Sequence, residues 1–587
     1  MAIPWYIPHK RHIVDTNEYK NDKDHDSMSR NSDVYPVLTT TEGKSYKIKE
    51  FRDEAKRPWW KFFDEFEYRD STQLTNQRKW YQWFEPGATP QEKKLILKLD
   101  FLIAFYSFLA YWNKYLDSAN LNNSYVSGMK EDLNMKGNDL IKTQVCFTVG
   151  NIIFELPMMY ILPRLPINYV LLISEMGWSI FTIFLFSVKN LSQLQALRFF
   201  VGAFEAAYYP SIHYVLASWY KPTEISRRGA LFFSGQFLGV LTAGLIQGSV
   251  YDTLNGYNGM SGWRWCFLID GIISVAIALV GFLMIPGTPF SCYSIWLTDE
   301  EILLARKRMH DNGNDISTST KSFFNKEDWK KALGTWHVYL LSIIQIQGFN
   351  SNSASSGSFL LWLKSLNRYS ISKIDNLGAV PPAVGIFYVY LVSFGADFTH
   401  KRFGFTIFSF LMNFIGNVIL AIWDVKESAK WVGFMFAYWS WSQSSVFNTL
   451  ISDFFRRDNN VRAIAWMIQY IIGLQSTAWM SYIQFPTVQS PRFHRGFSMC
   501  AGFSMGFVIC FSFAYLLYKR DERREALENG IYLYNSEKEE IPDFVRENFH
   551  KAYPDKESLE EQIYPEKQLI EDQDIKKSTL SSKENLD

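Results

Sequence analysis

The stretch Leu191 to Tyr220, LSQLQALRFFVGAFEAAYYPSIHYVLASWY, decides how the rest of the chain is read. It is long and apolar enough to cross a bilayer, for which about 20 predominantly apolar residues suffice. It nevertheless contains Arg198 and Glu205, with Gly202 between them. Their spacing is about two helical turns, so both charges fall on one stripe of a helix. A charge at membrane depth costs at least about 2.5–3.5 kcal/mol on insertion scales. The stripe must therefore face protein partners or a watery cavity, and the chain around it should form that cavity.

The averages conceal this. Net charge is +1 and the charged fraction 20% over 587 residues, and mean hydropathy is −0.11, values a soluble protein could show. Charge is concentrated in residues 1–94 and 519–587, while the chain between is a series of apolar segments. Aromatics make up 17% of residues, the supply that interface belts of Trp and Tyr require. Balanced charge gives no support for a nucleic-acid partner. The five cysteines (Cys146, Cys266, Cys292, Cys500, Cys510) are scattered without a C-x-x-C pair, so they read as packing residues. The start, MAIPWYIPHKRHIV, lacks the apolar core of a signal peptide, which leaves the first span as the insertion signal. No P-loop, G-x-S-x-G or H-E-x-x-H motif occurs, so neither an enzyme nor a cofactor is expected, and uphill transport would draw on an ion gradient.

Twelve spans are expected, near residues 97–116, 141–162, 168–187, 191–219, 229–250, 264–285, 336–362, 376–396, 404–423, 430–453, 463–485 and 497–518. This is an all-α integral membrane fold of two six-helix bundles around a central site. The organisation follows: 1–94 a cytoplasmic N-terminal tail, 95–286 the first bundle, 287–335 a cytoplasmic linker, 336–518 the second bundle, and 519–587 a cytoplasmic C-terminal tail. Arg306, Lys307 and Arg308 in the linker, with Lys519, Arg520, Arg523 and Arg524 after the last span, place these segments inside. The N-terminal tail is expected to be disordered as far as Lys44. Beyond it, Phe51 to Arg69 and Arg78 to Phe84 interleave aromatics with charges. They form either a segment lying in the membrane interface or a helix packed on the cytoplasmic face of the protein.

The motif Arg198-Phe-Phe-Val-Gly-Ala-Phe-Glu205-Ala-Ala-Tyr-Tyr-Pro210, with Trp219-Tyr220 and Arg227-Arg228, resembles the fourth-helix signature of the fungal allantoate permease family. That family belongs to the anion:cation symporter group of the major facilitator superfamily. Gly262-Trp263-Arg264-Trp265 with Asp270, and Trp296-Leu-Thr298-Asp-Glu-Glu301 with Arg306, are similar to its sixth-helix entry and linker start. Arg52-Asp-Glu-Ala, Trp59-Trp60-Lys61 and Leu361-Trp-Leu-Lys-Ser365 resemble a fungal subgroup that includes a biotin (vitamin H) transporter and an ethionine-sulfoxide-resistance permease. The resemblance implies a fold of twelve transmembrane helices and proton-coupled uptake of a small organic anion. In the wider group an Asp-Arg pair near the outer end of the first helix joins proton coupling to anion binding. Here that position reads Asp117-Ser118, and Lys114, one turn earlier on the same face, is the candidate to supply the missing cation.

Such a cycle needs a carboxylate that takes up and releases a proton, and a fixed cation for the substrate's anionic group. Glu205 and Asp117 are the candidates for the first task, Lys114 and Arg198 for the second. The resemblance implies that Arg198 neutralises Glu205 when no proton is bound; the alternative is a fixed Arg198–Glu205 pair that only locks the fourth helix in place. Glu155 and Glu175 also lie in apolar spans, Glu155 just before Pro157, while Asp270 and Asp453 sit near span ends as gate or capping residues. Helix 7 carries a polar run, Gln345, Gln347, Asn350, Asn352, Ser355 and Ser356, and its Ser/Gly stretch Ser353 to Gly357 predicts a broken helix and an outer gate. Asn350, Asn352, Gln236 and Gln443 are candidate substrate-binding residues, against the plainer role of interhelical hydrogen bonding. His213 reads as a packing residue. Trp439, Trp441, Trp466 and Trp479 are expected mostly at the interface or facing lipid, with one of them able to stack on a ring substrate.

The reading is a monomeric secondary carrier in the fungal plasma membrane, with both termini cytoplasmic, that takes up a small organic anion (a vitamin, a sulfonate or sulfoxide amino acid, or an allantoate-like carboxylate) together with protons across the bilayer by alternating access. The competing classes are a nutrient sensor that keeps the fold without transporting, and an efflux carrier.

Overall fold

The computed structural model describes residues 8–11, 36–39, 43–65, 67–68, 83–84, 87–161, 164–311, 326–399, 401–455, 459–538 and 540–552. Most of the aromatic stretch Arg78 to Phe84, and the tail beyond residue 552, lie outside them. The chain divides into two units, one of Met1–Asp15 with Trp80–Tyr515 and one of Thr16–Lys79 with Leu516–Asp587.

The first unit is helical, and each of the twelve expected spans has a helical counterpart among the described residues. Seven are long and apolar: Pro90–Asp132, Ile167–Ser187, Arg227–Leu254, Gly262–Met284, Ile371–Thr399, Arg402–Ile422 and His494–Arg524. Asp139–Ile161 and Asn459–Gln484 supply spans 2 and 11. The remaining three are broken. Span 4 is Leu191–Glu205 followed by Tyr208–Trp219. Pro210 lacks the N–H that would bond the carbonyl four residues back, so the chain turns just after Glu205. Span 7 is Trp336–Asn350, a short turn Ala354–Ser356, and Ser358–Ser365. Gly357 joins the last two pieces at φ 72°, a left-handed conformation that favours glycine. Span 10 comes in three pieces, Glu427–Phe436, Trp439–Ser442 and Ser444–Phe454.

Glycines let spans 2 and 4 approach closely. A Cβ on Gly202 would sit 2.1 Å from the Phe147 carbonyl oxygen, and one on Gly150 would sit 2.2 Å from that of Phe199. Such close backbone contact aligns Arg198 with the bundle interior. The two halves of the unit meet where spans 1, 5 and 7 end and span 8 begins. There Ser127 donates to Asp375 (2.6 Å), Ser372 donates to Asp252 (2.6 Å), and Lys364 donates to the Val126 carbonyl (3.0 Å). At the opposite ends Arg227 faces Asp397 at 3.8 Å.

The linker helix Asp299–Asp311 starts from a reciprocal cap between Thr298 and Glu301. Glu301 also pairs with Lys98 at 2.8 Å, and Arg308 bridges Glu92 (3.0 Å) and Glu224 (2.7 Å). Burial alone would raise the Glu301 carboxyl, but Lys98 and the Thr298 amide hold it below the usual carboxylate range.

The second unit is a finding the sequence did not announce. Strands β1 (Val37–Thr39) and β2 (Ser45–Lys47) form an antiparallel hairpin, with β1 inside the stretch expected to be disordered. Strand β3 (Glu50–Asp53) pairs in parallel with β4 (Ile531–Tyr534), in the register Glu50↔Ile531 to Asp53↔Tyr534. Strands this short need a shared apolar face. Ile48, Phe51 and Val545 form one, the last from the helix Asp543–Ala552. Glu67 is buried between Arg57 (2.9 Å) and Lys519 (2.6 Å). The two tails therefore fold together as one module.

Candidate functional site

The apolar spans 1 and 4 bring four charges together in two ion pairs. Lys114 Nζ lies 3.0 Å from Glu205 Oε1, and Arg198 Nη1 lies 3.4 Å from Asp117 Oδ1. Asp117, Arg198 and Glu205 are each 2% exposed. The arrangement differs from the direct contact expected of Arg198 and Glu205. They share a stripe, but each turns to a partner on the first span. Lys114 and Asp117 are three residues apart and share a face of that helix, whereas their partners Glu205 and Arg198 lie seven residues apart on span 4.

Further groups hold this arrangement. Thr182 donates to Asp117 Oδ2 (3.1 Å), and Arg198 also donates to the Asp117 carbonyl (3.4 Å). Phe147 lies under the Arg198 guanidinium at 5.7 Å. Asp270 accepts from Asn120 (3.0 Å), and Ser274 is bonded to Asn113 (2.9 Å). Asp270 is thus an interior partner of the first span, deeper than the capping role expected of a residue near a span end. Glu175 accepts from the Tyr106 hydroxyl. Glu155 is buried and within electrostatic reach of Lys114.

An aromatic wall adjoins the ion pairs. Lys114 Nζ is 6.0 Å from the Tyr208 ring centroid, and Tyr111 stacks near Tyr208 at 6.3 Å. Tyr209 stacks on Tyr470 (5.0 Å), which stacks on Trp466 (5.1 Å). Span 4 thereby meets span 11. His213 lies on the same wall, 4.1 Å from Tyr209 between ring centroids, with Nδ1 3.0 Å from the Tyr209 carbonyl oxygen, as a packing residue would be. The tryptophans expected at the interface divide. Trp439 is buried against Tyr388, Trp441 meets Tyr115 at 5.8 Å, and Trp466 is in the wall, while Trp479 is exposed. The sequence reading missed the tyrosines, although Tyr208-Tyr209 lies in the deciding stretch and Tyr111 and Tyr115 flank Lys114.

Asn350 donates to the Ile346 carbonyl (2.7 Å) and to Ser476 (2.6 Å), which ties it into the second half. Asn352 caps the Ala354 amide (2.9 Å) and accepts from Ser440 (3.5 Å). Gln443 donates to the Ser440 carbonyl (3.2 Å), and among the described residues its buried Oε1 has no hydrogen-bond partner. Gln236 is buried in the fifth span. A separate cavity of about 660 Å³ opens between spans 2 and 11, lined by Lys142, Cys146, Gln195 and Trp479 among others, and it includes none of the paired charges.

Residues 102–474 match the Major Facilitator Superfamily profile. The chain belongs to the Major Facilitator Superfamily. It is a multi-pass membrane transporter, not an enzyme. It is 41% identical to the vitamin H transporter of Saccharomyces cerevisiae over 573 residues, 93% of this chain and 96% of that protein. It is 30% identical to a pantothenate transporter of Schizosaccharomyces pombe over 413 residues, 70% of this chain and 79% of that one. Among solved structures, the xylose transporter XylE of E. coli aligns with a TM-score of 0.50 at 12% identity, covering 70% of this chain and 97% of XylE. A POT family transporter in complex with 5-aminolevulinic acid aligns at 0.51 and 13% identity, covering 72% and 96%. These two likenesses show the superfamily fold.

Proposed function

We propose that the protein imports a small carboxylated vitamin together with a proton, as a member of the fungal allantoate permease family within the superfamily. The observation that carries this is the buried Lys114–Glu205 pair at 3.0 Å. While Glu205 is ionised, it occupies the one charge of Lys114 and leaves little for a substrate. A proton on Glu205 breaks that attraction and frees Lys114 to hold a substrate carboxylate. Loss of the proton on the other side restores the pair and expels the anion. Proton and anion therefore move together. Arg198 and Asp117 form the second, linked pair, and Gln443 offers a free acceptor to a substrate N–H.

Two features favour a vitamin acid. The relatives named for transport of vitamin H and of pantothenate handle carboxylic acids that also carry amide-type N–H groups. The wall of Tyr209, Trp466 and Tyr470 offers flat faces against which a compact ring can lie. The basic residues of the linker and tails support cytoplasmic termini, and uptake of a nutrient would call for a carrier in the plasma membrane.

The test is uptake of radiolabelled biotin and pantothenate by fungal cells lacking their own carriers, at acidic and at neutral external pH. Uptake should be greater in acid, collapse with a protonophore, and be lost in Glu205→Gln protein that reaches the cell surface. Uptake indifferent to pH and retained in Glu205→Gln would discard the proton cycle. No uptake of either vitamin would turn attention to the efflux and sensor readings.

A further inference from the structure

The tail module carries an aromatic edge that its own core does not use. The turn Trp59–Phe63 opens after Pro58. Trp59 is 75% exposed, Trp60 59% and Phe63 39%, with the rings of Trp59 and Trp60 edge to face at 6.3 Å. Clustered exposed aromatics on a folded module mark an interaction surface. Lys56 and Lys61, in and beside the turn, are exposed as well, as is Arg524.

The position of this edge in the chain indicates its partner. Leu516 to Tyr518 close the last predicted span and belong to the module, and Leu516 is exposed, as a lipid-facing residue would be. Lys519, the next residue, donates to the Asp64 carbonyl (2.7 Å), pairs with Glu67 (2.6 Å) and reaches the Phe62 ring at 6.0 Å. The aromatic turn is thus held against Lys519, the first charged residue after the last apolar run. Indole rings partition to the headgroup layer, and neighbouring lysines are drawn to anionic headgroups.

We propose that the Trp59–Phe63 turn, with Lys56 and Lys61, docks the tail module onto the anionic headgroup layer of the bilayer at the exit of the last span. The docked module moors both tails to the membrane that the spans cross.

The test uses the full chain in nanodiscs of phosphatidylcholine with phosphatidylserine, prepared with ordinary lipids or with lipids brominated on the acyl chain near the headgroup. Bromine quenches nearby indoles. Subtracting the emission of a Trp59→Phe/Trp60→Phe variant from that of the wild type isolates these two tryptophans while preserving the apolar edge. The difference emission should fall by about half or more in brominated discs, as for interfacial rings, and less so in Lys56→Glu/Lys61→Glu protein. Equal difference emission in ordinary and brominated discs would overturn the proposal. If that unquenched emission were also blue-shifted, a second copy or another protein would be the occupant in place of lipid. Quenching unaffected by Lys56→Glu/Lys61→Glu would overturn the anionic part of the proposal.

Discussion

The first six spans bury paired charges alongside their amides and hydroxyls, whereas the described interior of the second six is chiefly amides and hydroxyls. Lys114, Asp117, Glu155, Glu175, Arg198, Glu205 and Asp270 all lie within the first half. In the second half, the described interior holds Asn350, Asn413, Asn417 and Gln443, with Asp375 and Arg402 at span ends. Asn413 and Asn417 lie in one hydrogen-bond network. Asn413 donates to the Ser351 carbonyl (3.1 Å) and to Ser504 (2.8 Å), and Asn417 accepts from Ser353 (2.9 Å). That network crosses the break in span 7 and holds its ends. A neutral amide keeps its partners at any pH, while a paired charge can change partner when a proton arrives. On the proposed cycle, one half holds a shape and the other changes state.

Removing one charge should give the largest effect. Lys114→Met leaves Glu205 buried without its cation, a loss of about 3–5 kcal/mol, and should abolish uptake. The double variant Lys114→Met/Glu205→Gln should recover most of the thermal stability of the purified protein but none of the uptake. Recovery of uptake in the double variant would reduce the pair to a packing device and remove the contrast between the halves.

Next in size is the far-side contact between halves. A Cβ on Gly244 would sit 2.5 Å from the Asp375 carbonyl oxygen. Gly244→Val should oppose closure there by about 1–3 kcal/mol, an uptake loss of roughly five- to 150-fold. Cysteines placed on that side should gain reactivity toward an impermeant thiol reagent in the same variant. A fully active Gly244→Val protein would show that this contact need not form during transport.

Asn413→Ala should lower stability by about 1–3 kcal/mol through its unsatisfied partners, with the KM for uptake little changed. A selective rise in KM would place the amide network in substrate binding and blur the division between the halves.

The smallest effect on uptake is expected in the tails. Burial alone would raise the Glu67 carboxyl, but hydrogen bonds and ion pairs with Arg57 and Lys519 hold it below its ordinary value. A depressed carboxylate contributes stability above the unfolded-state pKa of about 4.3, and the contribution is lost as pH falls through the folded value. Acidification below that range should speed hydrogen exchange in residues 50–53 and 531–534. Glu67→Gln should show the faster exchange already at neutral pH, with uptake unchanged.

Much of the fold was readable because membrane spans are written locally. An apolar run of sufficient length must be helical, since lipid offers its backbone no other partners. The polar run of helix 7 and its Ser/Gly stretch likewise announced a break, and the intramembrane charges announced a site. Their pairing was not readable. Arg198 and Glu205 share a stripe, but a stripe specifies only a direction, and the turn before Pro210 with the approach of span 1 decides which partner each side chain meets.

The sequence by itself determined the twelve spans, the polar linker and the set of charges that must avoid lipid, because each follows from the cost of exposing polar groups to hydrocarbon. Only the tertiary structure decided the pairs Lys114–Glu205 and Arg198–Asp117, the stacking of Tyr209 with Tyr470, and the joining of strands more than 470 residues apart. Those contacts bring together groups remote in the chain. Short strands such as β3 and β4 carry no local signal strong enough to name their partner, so close packing in three dimensions had to select it.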